Sequence, residues 1–429
     1  MPSNLPVELA ECAVDFLHDD VHSLAACALA SRTLLPATRF HIWRDLNVPV
    51  QTQPQHPRIQ GLLEILDGNA DLAPLVRSLT LRAVLSSRLH RERWDDGAGT
   101  MRLWEKFPNL RVLKFVSFHF PMGLHQLLPV AYSLPNLEEL AVLDAHALLP
   151  RLYSRPRPSY RESIVALDAP PKLQRLSIAG GSVSWSFMED LAKALLEPGM
   201  RAPLDALDLS CIANSAEFMY VVRDHTETLP SQAWAPVVAS LGQMLRQCTL
   251  GLLGDECYRT SSAFSSLPRR WYGAHKAVGH SLAENLANLY DSLKQCTRLE
   301  SLGIVCCAYP AEGFDYRPFL FVHILADLLL SSPGPFPQLA ALSISWRPGE
   351  DPEPELESCA DSAAWTKLAH ALENRARYPV LQRLAVALHL SAHTRSAEER
   401  EEIASLESVM RSCLARVALV GVQVEVSVD

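Results

Sequence analysis

Apolar residues return along this chain in a short phrase, Pro-x-Leu-x-x-Leu-x-apolar. It reads PLVRSLTL from Pro74 (valine at the third place), PNLRVLKF from Pro108, PNLEELAV from Pro135 and PKLQRLSI from Pro171. It comes back as PQLAALSI from Pro337 and PVLQRLAV from Pro379. Two variants, APLDALDL from Ala202 and TRLESLGI from Thr297, lack the leading proline, and CTLGLLGD from Cys248 is weaker because it ends on Asp255. The phrase's second leucine and final apolar residue are two apart, so in a strand they share a face. Leu113 with Phe115, Leu140 with Val142, and Leu176 with Ile178 are the predicted inward pairs. Thr80, Lys114, Ala141, Ser177, Asp208, Gly303, Ser343 and Ala385 lie between such pairs and fall on the other face. A strand this short cannot bury a core alone, but copies stacked in parallel can.

The intervals leave room for helices. WAPVVASLGQMLRQC, SLAENLANLYDSLKQC, FLFVHILADLLLSS and AAWTKLAHALENRARY each precede a copy. In the second, Leu282, Leu286, Leu289 and Leu293 recur at helical spacing. The third is apolar nearly all round and reads as a buried helix. The unit is therefore helix, proline turn, strand, with proline where a missing N–H does least harm. The ending VALVGVQVEVSV alternates from Val417 and predicts a last strand.

This phrase resembles the leucine-rich repeat family over roughly residues 70–429. The family's Asn or Cys after the strand is absent from nearly every copy; only Cys307 falls there. The resemblance implies an irregular α/β solenoid with a short-stranded parallel sheet over 74–429.

The head of the chain differs. LPVELAECAVDFLHDDVHSLAACALASRTLL, from Leu5 to Leu35, holds two short apolar helical patterns split by His18-Asp19-Asp20. Pro6 suits the first turn of one helix, and Ser23 is the expected N-cap of the other. Pro36, Arg39, Phe40, Ile42 and Trp43 follow. Residues 1–46 resemble the F-box, and HDDVHSLAACALASR…LLPATRFHIWRDL is especially similar to F-box proteins of mushroom-forming fungi. Ala13, Ala30 and Leu34 depart from that family's pattern. The resemblance implies docking onto a Skp-type adaptor, and through it a cullin, in a ubiquitin ligase. The adaptor contacts it implies are Leu5, Pro6, Glu8, Leu9, Leu17, Leu24, Leu29 and Trp43. Residues 47–73 would link this module to the repeats, which would present an unidentified protein substrate. A ligase-independent interaction scaffold with a degenerate F-box is the alternative.

Composition narrows the partners. A net charge of −9 gives no general basic face for a nucleic-acid backbone. No apolar run reaches the ~20 residues of a membrane span. Ten cysteines without a Cys-x-x-Cys pair read as reduced thiols. With no basic-then-apolar leader at the N-terminus, the expected compartment is cytoplasmic, nuclear or both. Gly-x-Ser-x-Gly, His-Glu-x-x-His, phosphate-loop and Gly-x-Gly-x-x-Gly motifs are all missing. His18 and His22, four apart, read as a solvated turn rather than a metal site. A non-catalytic adaptor without metal or cofactor is the expectation. Substrate contacts are sought in the aromatic-basic stretch Asp255–His280, at Arg269, Arg270, Trp271 and Tyr272, and on the outward strand face at Lys114 and Asp208.

Overall fold

The computed structural model describes residues 6–50, 57–83, 103, 106–117, 134–144, 172–180, 182–183, 191–193, 195–196, 203–210, 212–213, 230–253, 288–308, 320–331, 335–348, 362–389 and 397–428. The chain divides into two compact units, Met1–Met122 with Gln126–Leu173, and Gly123–His125 with Gln174–Asp429. Both are α/β with parallel strands.

The first unit opens with three short helices, α1 (Val7–Asp15), α2 (Val21–Ala30) and α3 (Leu35–Arg44). Helix α3 runs directly into β1 (Asp45–Val50). After α4 (Pro57–Gly68) and a 3-10 turn at Ala73–Leu75 come β2 (Ser78–Ala83), β3 (Val112–Val116) and β4 (Glu139–Leu143). The strands pair in parallel in chain order, and Asn47, Thr80, Lys114 and Ala141 stand side by side. Leu79, Leu81, Leu113, Phe115, Leu140 and Val142 are all at most 1% exposed, as the two-residue period requires. The helical head is therefore continuous with the sheet. Residue 47, where the expected linker 47–73 begins, lies inside β1.

A side-chain ladder ties successive phrases together. The Asn109 side-chain amide donates to the Pro74 carbonyl at 2.8 Å, and that of Asn136 donates to the Pro108 carbonyl at 3.0 Å. Both asparagines follow the opening proline of their phrase. Each reaches back to the carbonyl of the preceding phrase's opening proline. Lys172, at the same place in the next copy, donates to Asn136 Oδ1 at 2.9 Å. The proline turns thus find their polar partners at the phrase openings.

Just past the strands the backbone turns left-handed, at Ser117 (φ 59°), Asp144 (φ 51°) and Gly180 (φ 65°). These follow β3, β4 and β5 (Arg175–Ala179). Only Gly180 adopts this conformation without steric cost.

The second unit continues from β5 through β7 (Ala206–Leu209), β9 (Gln247–Leu253), β10 (Ser301–Ala308), β11 (Ala341–Pro348), β12 (Arg383–Leu388) and β13 (Gln423–Val428), paired in parallel in that order. A small separate pair, β6 (Ser182–Val183) with β8 (Ile212–Ala213), is also parallel. The weak copy from Cys248 does form a strand. Helices α5 (Pro230–Leu241), α6 (Leu320–Leu330), α7 (Ser362–Leu372) and α8 (Ala397–Leu419) fill intervals between strands. In α6, Val322, Leu325, Ala326, Leu328 and Leu329 are buried, as its apolar sequence requires. Its C-terminal carbonyls are gathered from outside the helix. The Arg377 guanidinium donates to the carbonyls of Leu329, Leu330 and Ser331 at 2.5 to 3.3 Å, and the Tyr378 hydroxyl donates to Leu329 at 2.6 Å.

Helix α8 is one-sided. Ile403, Leu406, Met410, Leu414 and Val417 are buried, while Glu401, Ser405, Ser408, Ser412 and Arg416 are exposed. The strand expected from Val417 starts later. Val417 belongs to the helical period of α8, Gly421 turns the chain at φ 85°, and β13 opens at Gln423.

Candidate functional site

Helix α1 carries a narrow buried stripe. Val14 is 1% exposed, and Ala10 and Leu17 on the same side are half-buried. The opposite side is apolar too. Leu9 is 56% exposed and Phe16, seven residues on and therefore on the same face, is 87% exposed. Exposed Cys12 and Ala13 lie between them; Glu8, Glu11 and Asp15 are exposed too, with Glu11 about 160° round the helix from Leu9. Helix α2 repeats the arrangement. Leu24 is fully buried, while Val21 and Leu29 are 59% and 91% exposed, with exposed Ala25 between them at four-residue steps.

The module holds together by short polar links. The expected cap of α2 is corrected from Ser23 to Asp20. The Asp20 carboxylate accepts from the backbone N–H groups of His22 and Ser23, both at 3.1 Å, and from the Ser23 hydroxyl at 2.6 Å. Hydrogen bonding from the Ser23 hydroxyl, then from its N–H, holds Asp20 below the usual aspartate range. His41 of α3 lies 2.8 Å from the Asp15 carboxylate of α1, with its ring edge-on to Phe40. His18 pairs with Asp19 at 3.0 Å. The Arg44 guanidinium sits 5.8 Å above the Phe40 ring. Among the described residues, no group of three or more His, Cys, Asp or Glu gathers as a metal site.

Of the expected adaptor contacts, Pro6, Glu8, Leu9 and Leu29 are exposed, and Leu17 and Trp43 are half-buried. Leu24 is corrected: at 0% exposure it belongs to the core of the module, because it faces inward from α2. Leu5 lies outside the described residues. Phe16 and Val21 were not anticipated, although the seven-residue step from Leu9 to Phe16 is readable in LAECAVDF.

The outward strand faces offer a different surface. In the first unit, Lys114 Nζ lies 3.1 Å from Glu139 Oε1. In the second unit one row runs Ser177, Asp208, Thr249, Gly303, Ser343, Ala385, Glu425. Asp208 accepts from the Ser177 hydroxyl and from the Ser210 N–H, each at 3.1 Å. A Cβ on Gly303 would meet the Thr249 side chain at 2.8 Å and the Ser343 hydroxyl at 3.0 Å, so the row closes tightly there. Lys114 and Asp208 are thus both engaged within their own units. Arg269, Arg270, Trp271 and Tyr272 lie outside the described residues.

No helix among the described residues is long and apolar enough to cross a membrane. No protein-family model matches the chain, and no curated protein matches its sequence.

Proposed function

We propose that this chain is the substrate-recognition subunit of a Skp–cullin–F-box type ubiquitin ligase, working in the cytoplasm, the nucleus or both. The head, α1 to α3, docks onto the Skp-type adaptor. The leucine-rich-repeat-like strands and their loops hold a protein substrate. The chain performs no chemistry itself; ubiquitin transfer belongs to other subunits.

One observation carries this reading. Large apolar side chains on a monomer's surface mark interaction sites when they cluster. Among the described residues, eight large hydrophobic side chains are exposed, and Leu9, Phe16, Val21 and Leu29 are half of them. They occupy two helices that bury little of their own surface. A partner that covers them would complete a core this head lacks. The departures at Ala13 and Ala30 shorten side chains there without removing the four large residues.

The test is co-expression of the full chain with a Skp-type adaptor, beside a Leu9→Ala/Phe16→Ala/Leu29→Ala variant. Stable co-purification of the natural chain, lost in the variant, is the expected result. A well-folded natural chain that never pairs would leave the ligase-independent scaffold as the better reading.

A further inference from the structure

Among the described strands, β13 has a neighbour on one side only. It pairs with β12, Arg383–Leu388 against Gln423–Val428. The Gln423 N–H donates to the Gln382 carbonyl at 2.7 Å. Along a parallel strand the bonding side alternates residue by residue, so the backbone groups of Gln423, Glu425 and Ser427 serve β12. Those of Val424, Val426 and Val428 point away from it. Such a row is a template for a further strand. The sequence QVEVSV, β-branched at every second place, favours extended pairing.

The middle of that row is occupied. Arg411 of α8 reaches over the edge, and its Nη2 donates to the Val426 carbonyl at 2.7 Å. Glu407, one turn back on the same helix, holds the guanidinium. Arg411 Nε and Nη2 donate to Glu407 Oε1 at 2.8 and 2.6 Å. The position matters. A second copy of the chain would meet this edge through a two-fold axis, which sets β13 antiparallel to itself. The register that uses all three outward residues puts Val426 opposite Val426 of the copy, and Val424 opposite Val428. It also puts Glu425 opposite Ser427, so no carboxylates face each other across the seam. Arg411 therefore stands on the central carbonyl of the fullest pairing this edge can make.

In the first unit β1 meets the same problem by another route. The Arg77 N–H donates to the Arg44 carbonyl at 2.9 Å, so Leu46 and Val48 serve β2 while Asp45, Asn47 and Pro49 point away. Proline at that place has no donor to offer an incoming strand.

We propose that Arg411, anchored by Glu407, guards the edge of β13 against pairing with a second copy of the chain. The guard leaves the faces and loops of the sheet, rather than its edge, for other contacts.

The experiment follows deuterium uptake by a peptide spanning β13 in the intact full chain, over roughly a hundredfold range of protein concentration. Uptake by the natural chain should be the same throughout. In Arg411→Ala, exchange of the Val424, Val426 and Val428 N–H groups should slow at the highest concentration by roughly tenfold or more, as pairing protects them. Glu407→Ala keeps Arg411 but removes its anchor, and should show the same change more weakly. Adding Val428→Pro to Arg411→Ala takes a donor from the outer edge without touching a bond to β12, and should restore the natural behaviour. Circular dichroism confirms that each variant is folded; if Arg411→Ala is not, Glu407→Ala decides. Concentration-independent uptake by the folded unguarded variants overturns the proposal. So does protection of this edge in the natural chain at high concentration, which would mean that it pairs despite Arg411. Protection that survives Val428→Pro also overturns it, since the contact would then not be strand pairing at this edge.

Discussion

Titratable side chains in the strand core are held neutral. Cys248 and Cys296 are at most 1% exposed. Burial pushes the Cys296 thiol up to about 12, and raises Cys248 well above the ordinary cysteine value, with neighbouring Cys296 and Asp208 adding to it. Burial also raises the Tyr378 hydroxyl, whose proton is committed to the Leu329 carbonyl. These are acids whose folded pKa exceeds the unfolded one. The unfolded chain therefore loses protons first as pH rises, and the folded state loses stability from about pH 9 upward. Denaturant midpoints measured from pH 7 to pH 11 should fall progressively above pH 9. In the native state at neutral pH, iodoacetamide should label exposed Cys12 while Cys248 and Cys296 stay unlabelled until the chain is unfolded. Labelling of Cys248 as fast as Cys12 would contradict this packing. Little of this is readable in sequence: each cysteine stands between a glutamine and a threonine, Gln247 and Thr249 for Cys248, Gln295 and Thr297 for Cys296, and nothing there tells of burial or of their being neighbours.

At the scale of elements, period decides what can be read in advance. The inward pairs were legible because a strand buried on one face repeats every two residues. Leu113 with Phe115 and Leu140 with Val142 obey that rule. The start of β13 was misread because Val417 satisfies two periods at once, the alternation of VALVGV and the helical run from Ile403. The longer pattern won, since α8 must cover the apolar face of α7, where Trp365, Leu368 and Leu372 are fully buried. The asparagine ladder was hidden for another reason. The familiar position lies after the strand, whereas Asn109 and Asn136 act before it. Caps supplied from a distance are equally silent in sequence. Arg377 binds the end of α6 from 46 to 48 residues away. Removing it orphans several part-buried carbonyls, so Arg377→Ala should cost about 2 kcal/mol, read from chemical denaturation. All three carbonyls accept from the single nitrogen Nη1, so Arg377→Lys, whose ammonium carries three donors, should recover part of the loss. No loss in Arg377→Ala would mean that solvent caps α6 adequately.

For the molecule as a whole, fold and function draw on different residues of the same apolar alphabet. Leu24 and Leu29 sit five residues apart on α2 and look alike to any hydrophobic pattern. The first is fully buried and the second 91% exposed, because only one side of α2 meets the rest of the module. The sequence marks both as apolar positions of one helix, but does not divide them between core and surface. That division yields a test separating folding from docking. Leu24→Ala removes core packing and should lower stability by about 3 kcal/mol. Leu29→Ala removes nothing the isolated chain uses, so its stability should stay within about 0.5 kcal/mol of the natural protein. If the exposed ridge is the docking face, Leu29→Ala should nonetheless weaken adaptor binding, with an unchanged melting temperature. Leu24→Ala should weaken it only in proportion to the fraction of molecules whose head has unfolded. Equal melting temperatures for the two variants would place Leu24 on the surface. Undiminished adaptor binding by folded Leu29→Ala would remove Leu29 from the interface, and with it the far end of the α2 ridge.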